Sequence, residues 1–227
     1  VFSTTNFYAL LLVKGIANNQ VIKVLFDKGV KGNFLNLTDN FIPTILKVII
    51  QSSLGDVAVS QFSSCIDLAK RGVGIVFNLT SFIGLPDIYS TYRAHKQEES
   101  RKQKMFLFFY SIFAVSILFF IYLLVYFLKL PILGLVFQNN ILVFGLVSLA
   151  VLVQRSRKIL IDPIMISFSS FWKIAAAGII ATGATLIISE LNTIRNVEVF
   201  AVQMVISSIL MTVAYWVIKK LSKGSSL

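Results

Sequence analysis

The chain has 227 residues, of which 56% are hydrophobic and only 14% are charged, and its formal net charge is +11. Soluble domains are typically about 45–50% apolar and about 25% charged, so this composition excludes an ordinary soluble domain and predicts an all-α integral membrane protein. The single cysteine, Cys65, and the single histidine, His95, exclude an intrachain disulfide, Cys- or His-rich metal sites and His-activated nucleophiles. Basic residues interrupt apolar blocks instead of forming one polar face, which argues against nucleic acid as a partner. We therefore predict no enzyme activity, no catalytic residue, no metal and no cofactor.

Residues 1–92 are predicted to form amphipathic helices that are too short or too polar to cross a membrane. Their apolar residues recur with helical spacing in four segments, 6–26, 41–50, 54–71 and 72–85. Turn-forming residues predict helix ends at 18–19, 29–32, 53–55 and 86–87. These helices either pack together as a small cytosolic domain or lie in the headgroup plane as interfacial helices.

Residues 93–104 form a basic segment directly before the first strongly apolar block. Its basic residues are Arg93, Lys96, Arg101, Lys102 and Lys104. Basic segments beside a membrane are attracted to anionic headgroups, so these residues are candidate contacts to anionic lipid. The alternative is an ordinary positively charged anchor with solvated side chains.

Residues 105–221 are predicted to form a bundle of about four transmembrane helices. The strongest candidate, Met105–Phe127, contains no charge, glycine or proline, and at ~1.5 Å per residue it is long enough to cross a hydrocarbon core of ~30 Å. The last candidate, 197–218, ends in Tyr215-Trp216 before two lysines, which is typical of the headgroup level. Residues 222–227 have the composition of an added linker and are interpreted as a tail.

The second candidate, 131–153, is interrupted at its centre by Gln138, Asn139 and Asn140. One interpretation, which we favour, is a single crossing whose three amides line a pore or contact other helices. The other is a short interfacial piece over 131–137 followed by a half-depth segment from Ile141, because irregular backbone at membrane depth needs cover from protein or water.

The third candidate, 171–194, carries a stripe of small residues that includes Ala177 and Ala181. Small residues allow helix backbones to approach closely in lipid, so these two alanines are predicted helix contacts. Lys173 is the one charge well inside an apolar block. It either contacts an ion or substrate within the membrane or extends its ammonium to the nearby headgroups.

The distribution of basic residues predicts the orientation. Eleven of them lie in segments that an even number of crossings places on one side: 93–104, 155–158 and 219–223. The opposite loops hold only Lys129 and Arg195. Cytoplasmic loops of membrane proteins are enriched in Lys and Arg, so both flanks of the bundle are predicted to be cytoplasmic.

These features favour a non-enzymatic, multi-pass membrane protein that binds the lipid bilayer. The leading hypothesis is a homo-oligomeric channel or pore, or a membrane subunit of a transport or translocation complex. The alternative is a membrane-shaping or tethering scaffold whose N-terminal amphipathic helices insert into one leaflet. An intramembrane enzyme is disfavoured, because it would need Asp162, Glu190 or Lys173, which the predicted topology distributes between the two interfaces.

Overall fold

In the computed structural model, the described residues are 19–93, 97–128, 140–162, 170–191 and 196–224. They form helices and contain no strand. The helices are α1 (Asn19–Leu54), α2 (Asp56–Arg93), α3 (Gln97–Phe127), α4 (Ile141–Leu160), α5 (Phe171–Leu191) and α6 (Val197–Gly224). The predicted all-α class is therefore confirmed over this part of the chain.

Among the described residues, three helical segments are long and apolar enough to cross a membrane: Glu98–Leu124 in α3, Phe171–Leu191, and Val197–Ile218 in α6. The sequence predicts about four. Helix α4 is not among the three, since Arg155, Arg157 and Lys158 lie in its last two turns. Three candidate spans are consistent with a membrane protein.

Helix α4 differs in its bounds from the predicted crossing over 131–153. It begins at Ile141, and Asn140 before it has φ −132° and ψ 32°, which is not a helical conformation. A single unbroken helix through Asn140 is therefore wrong, while residues 131–139 lie outside the described part of the chain. The helix also continues to Leu160, so the three basic residues for which the sequence predicts a loop are helical.

The first two helices are longer than the predicted segments. Helix α1 continues through 29–32, where the sequence predicts a helix end, and contains Pro43; α2 continues past Pro86 to Arg93. Tertiary packing commonly overrides such local signals. The predicted end at 53–55 is confirmed, because Gly55 has φ +83° and separates α1 from α2. Glycine adopts this left-handed conformation without steric cost.

The N-terminal helices share one apolar core with the C-terminal ones. Helix α1 packs against α2, α5 and α6, and α2 also packs against α3 and α4. The predicted apolar face of α2 is confirmed, since Phe62, Ile66 and Ala69 are buried while Asp56 and Asp67 on the other face are exposed. The proposed domain boundary near residue 92 stays a prediction, but the residues on both sides of it contribute to the same core.

Side-chain contacts give the directions of the C-terminal helices. Helix α5 is antiparallel to α6, because Gly178 lies beside Tyr215 and Ser189 contacts Gln203. Helix α4 is parallel to α6, because its later residues contact later residues of α6 (Gln154 with Ser208, Arg157 with Tyr215). Helix α3 is peripheral, and most of its large apolar side chains are exposed.

Candidate functional site

Helices α1 and α4, and the residues just after α4, bring charged side chains into the core at the C-terminal end of α4. Asp39 lies in the buried stripe of α1 that also contains Leu35 and Ile42, and Arg157 continues the buried stripe of α4. Asp162 follows α4 directly and is also buried. The helical repeat thus points these charges inward, where each needs a partner.

Arg157 is the centre of this network, and only 1% of it is exposed. Its Nε donates to Asp162 Oδ1 at 3.0 Å, and its Nη2 donates to Asp162 Oδ2 at 3.4 Å. Nη2 also lies 2.9 Å from Asp39 Oδ1. One guanidinium therefore joins two carboxylates from different parts of the chain, and we call Asp39, Arg157 and Asp162 the charge network.

The charge network is incompletely hydrogen-bonded. Asp39 Oδ1 lies within reach of Arg157, but neither carboxylate oxygen of Asp39 has an aligned donor among the described residues. Arg157 Nη1 is also buried without an acceptor in the same part of the chain. An unmatched buried polar atom costs about 1–3 kcal/mol, so such sites are commonly functional or hold a water or ion.

Tyr215 of α6 closes the network on one side. Its ring lies beneath Arg157, with Cζ 4.7 Å from the ring centroid, and its hydroxyl lies 3.2 Å from Thr38 Oγ1 of α1. Helix α5 contributes Gly178, where a Cβ would lie 2.7 Å from Thr38 Cγ2 and 3.2 Å from the Tyr215 hydroxyl. A glycine is required here because the helices meet with no space for a side chain.

Around the network, three cations each donate to an asparagine on a neighbouring helix. Lys158 Nζ donates to Asn36 Oδ1 at 2.6 Å, Lys70 Nζ to Asn40 Oδ1 at 2.9 Å, and Arg155 Nη1 to Asn78 Oδ1 at 3.4 Å. Burial lowers the pKa of the Lys70 ammonium, and the positive charges of Lys47 and Arg155 lower it further. We call these three cations and three asparagines the basic junction.

A row of buried polar side chains continues from the network along α6. Its members on that helix are Gln203, Ser207, Ser208 and Tyr215, all of them nearly inaccessible. Gln203 Nε2 donates to the Thr185 carbonyl at 3.1 Å and to Ser189 Oγ. Gln154 Nε2 donates to Ser208 Oγ at 3.1 Å. We call these groups the polar row.

Several atoms of the polar row also lack partners. Gln203 Oε1 and Ser207 Oγ of the row are buried with no hydrogen bond within the described part of the chain, and so is Ser148 Oγ of α4. From Gln203 to Tyr215 the row covers ~18 Å of helix axis at ~1.5 Å per residue. Buried polar side chains therefore recur over about half the thickness of a bilayer core, and the unmatched atoms on α6 lie at Gln203 and Ser207.

The residues predicted to line a pore or join helices are dispersed. Gln138 and Asn139 lie outside the described residues, and Asn140 lies directly before α4. Lys173 is exposed in the first turn of α5. Ala177 and Ala181 are 1% and 2% exposed, and both belong to the shared core. A pore or substrate role for any of them stays a prediction.

The basic segment 93–104 is also divided, and its residues from 97 onward belong to α3. Arg93 is the last residue of α2, and Lys96 lies outside the described residues. Arg101 and Lys102 are exposed, and Lys102 pairs with Glu98 at 3.4 Å. Lys104, by contrast, is buried. Contact of these residues with anionic lipid stays a prediction.

The charge network does not follow from the sequence reasoning. The sequence predicts a loop at Arg157, although extending the apolar stripe of α4 from Val147 through Gln154 places it on the buried face. Asp39 precedes the predicted helical segment, which begins only at residue 41. The signal that would identify both is a charged residue at a core position of an apolar stripe, which is uncommon without a partner.

Cys65 lies in the core of α2, away from these polar groups. It is 3% exposed, and burial raises the pKa of its thiol to about 11. Because the thiolate is the reactive form, this cysteine is expected to be inert at neutral pH.

Comparison with known proteins finds no protein family, no curated protein and no solved structure that matches this chain.

Proposed function

We propose that this protein is a multi-pass membrane protein that carries an ion or small polar solute, as a channel or as the membrane subunit of a transport or translocation complex. The observation that supports this most strongly is the polar row, which leads along α6 to the charge network. Polar and ionisable groups inside membrane bundles are costly, and they commonly mark ion or substrate pathways.

The path we propose follows α6 of one chain, from its contact with α5 at Gln203 to its contact with α4 at Ser208 and Tyr215. Unmatched atoms such as Gln203 Oε1, Ser207 Oγ and Arg157 Nη1 are the groups that water or a solute would bind when these helices separate. Arg157 shares its guanidinium between Asp39 and Asp162. When a solute arrives, the guanidinium can move toward one of its two carboxylate partners. Such a movement would favour one of two conformations of the charge network.

In this proposal α4 is a fourth crossing. Its 20 residues reach ~30 Å, and its basic residues all lie in its last two turns, near the headgroups. The excess of basic residues on that side then places both flanks of the bundle in the cytoplasm. Association with further copies or other membrane subunits is part of the proposal, and the exposed apolar face of α3 is compatible with it.

Flux into liposomes tests the proposal. The purified protein is reconstituted, and protein-dependent flux of H⁺, Na⁺, K⁺, Cl⁻ and small polar solutes is recorded under defined gradients. We expect Gln203→Leu and Gln154→Leu to change the flux at least tenfold, because both remove polar atoms from the row. Gln51→Leu, the same substitution at an exposed position, should leave it unchanged. Absence of flux under every gradient would contradict the proposal.

A scaffold that shapes or tethers a membrane is the second candidate, because the first two helices expose large apolar side chains. On α1 the exposed side chains are Phe26 (67%), Phe41 (45%) and Val48 (62%). On α2 they are Ile75 (60%) and Phe82 (84%). Such side chains are suited to insertion into a leaflet. Electron microscopy of vesicles containing the intact protein tests this: tubes or tethered pairs are expected from a scaffold, and unchanged spheres argue against it.

A further inference from the structure

The basic junction forms a closed set of contacts among three helices. Lys70 of α2 donates to α1, Arg155 of α4 donates to α2, and Lys158 of α4 donates to α1. Each pair of helices is therefore connected once. The three cations are half-buried, and their asparagine partners are exposed, so the junction is reachable from outside.

Helical spacing places these residues on facing stripes. Asn36 and Asn40 are four residues apart on α1, and Arg155 and Lys158 are three apart on α4. On α2, Lys70, Gly74 and Asn78 follow at intervals of four. Gly74 leaves space for Arg155, since a Cβ there would lie 3.4 Å from Arg155 Nη2. Residues three and four apart share one helix face, so all three stripes converge.

The junction has more positive than negative charge. Asparagine is a neutral acceptor, so hydrogen bonds to Asn40 and Asn78 leave the charges of Lys70 and Arg155 uncompensated. The nearest carboxylate, Asp39, lies 3.6 Å from Lys158 but is shared with Arg157. With Arg157 and with Lys47, which also acts on Lys70, there are five cations against the carboxylates of Asp39, Asp162 and Asp67, which leaves an excess of two positive charges.

We propose that the basic junction binds a phosphate monoester or free phosphate, carried by the headgroup of phosphatidic acid or present as the inorganic anion. Phosphate offers several acceptor oxygens and a charge of about −1.5 to −2, which matches the excess positive charge. The cations would exchange neutral amide acceptors for charged ones, and charge-assisted hydrogen bonds are roughly twice as strong. Each freed asparagine can turn its NH₂ group toward the anion as a further donor.

This inference does not depend on transport, because binding is measured in detergent without any flux. The intact protein is unfolded by heat with inorganic phosphate or with chloride at equal ionic strength. In parallel, it is unfolded in micelles that contain phosphatidic acid or phosphatidylcholine. A ligand that binds the folded state raises Tm, and for a ligand several-fold above its Kd we expect a rise of about 2–4 °C.

Two charge-matched triple variants identify the site. Lys70→Gln/Arg155→Gln/Lys158→Gln removes the cations of the junction. Arg101→Gln/Lys102→Gln/Lys173→Gln also removes one arginine and two lysines, but from exposed positions. We expect the second variant to keep the Tm rise and the first to lose it. The reverse result would overturn the proposal and would place the phosphate among the exposed cations Arg101, Lys102 and Lys173.

The other outcomes are equally decisive. A rise with phosphatidic acid alone supports a lipid headgroup, whereas a rise with both ligands shows that free phosphate is sufficient. No rise in the natural protein with either ligand would overturn the proposal. If the junction triple variant does not fold, the single variant Lys70→Gln replaces it. That variant should weaken phosphate affinity at least fivefold, and an unchanged affinity would equally overturn the proposal.

Discussion

The two ends of the polar row on α6 use different chemistry to solve the same packing problem. Near the start of α6, Gln203 contacts α5 through neutral groups, a backbone carbonyl and the hydroxyl of Ser189. Near its end, Tyr215 packs under the guanidinium of Arg157, which two carboxylates neutralise. Both ends are buried to the same degree, so their difference comes from the partner helices.

This difference in chemistry identifies where the fold is vulnerable. Neutral hydrogen bonds between membrane helices contribute about 0.6 kcal/mol on average, because the unfolded state in the membrane also finds partners. Loss of one member of a buried ion network leaves an uncompensated charge, which is destabilising by about 3–5 kcal/mol. The charged end should therefore be the more sensitive one, while the neutral end should tolerate change.

The largest effect is expected for Arg157→Met, which keeps much of the side-chain volume but removes the charge. Asp162 then lies buried without a cation, and Asp39 keeps only Lys158 at 3.6 Å, so unfolding free energy should fall by about 3–5 kcal/mol. Chemical denaturation in detergent measures this. The control is the variant that also carries Asp39→Asn and Asp162→Asn, in which no charge remains and most of the stability should return. A fall under about 1 kcal/mol in the single variant would show that the network is not the critical contact.

A second, smaller effect is expected at the glycine that allows the charged end to form. In Gly178→Val the new side chain would meet Thr38 and Tyr215, and overpacking of this kind costs about 1–3 kcal/mol. A Cβ added at Gly183 of the same helix would have no neighbouring atom within 4 Å. Gly183→Ala should therefore be neutral or stabilise by up to about 1 kcal/mol through helix propensity. Equal effects of the two substitutions would contradict the close approach at Gly178.

Features that depend on local periodicity could be predicted from the sequence. The buried face of α2, with Phe62, Ile66 and Ala69, follows the helical repeat, and three crossing candidates follow from apolar length. The helix end at Gly55 could be predicted because glycine readily adopts the left-handed conformation that separates α1 from α2. The signals at 29–32 failed because the packing of α1 against α5 and α6 outweighs the local cost of its glycines.

The candidate site could not be predicted in the same way. Arg157 depends on Asp39, which is distant in the chain, and on Asp162, which lies beyond the predicted crossing over 131–153. In the sequence alone, each of these three residues resembles an ordinary solvated charged residue. Only the convergence of α1, α4 and α6 distinguishes them, and a single sequence contains no direct measure of that convergence.

At the neutral end, Gln203→Leu should have a moderate effect. It removes the donor to the Thr185 carbonyl and to Ser189, so we expect a loss of about 0.6–1.7 kcal/mol, the range for hydrogen bonds between membrane helices. A double-mutant cycle with Ser189→Ala isolates the pair. A coupling as large as that between Arg157 and Asp162 would remove the distinction between the two ends.

The smallest effect is expected for an ion pair outside the core. Lys102 and Glu98 lie four residues apart on α3, with side chains 78% and 85% exposed. Exposed pairs at this spacing contribute about 0.3–0.5 kcal/mol and weaken with salt, because water already solvates both charges. Lys102→Gln should therefore change stability by no more than this amount, and less at high ionic strength.

This surface pair, like the charge network, joins a basic side chain to a carboxylate. A small effect here and a large one at Arg157 would therefore attribute the difference to burial. An effect above about 1 kcal/mol would mean that this surface is covered in the folded protein, which would place residues 98–102 at a contact with lipid or with another subunit.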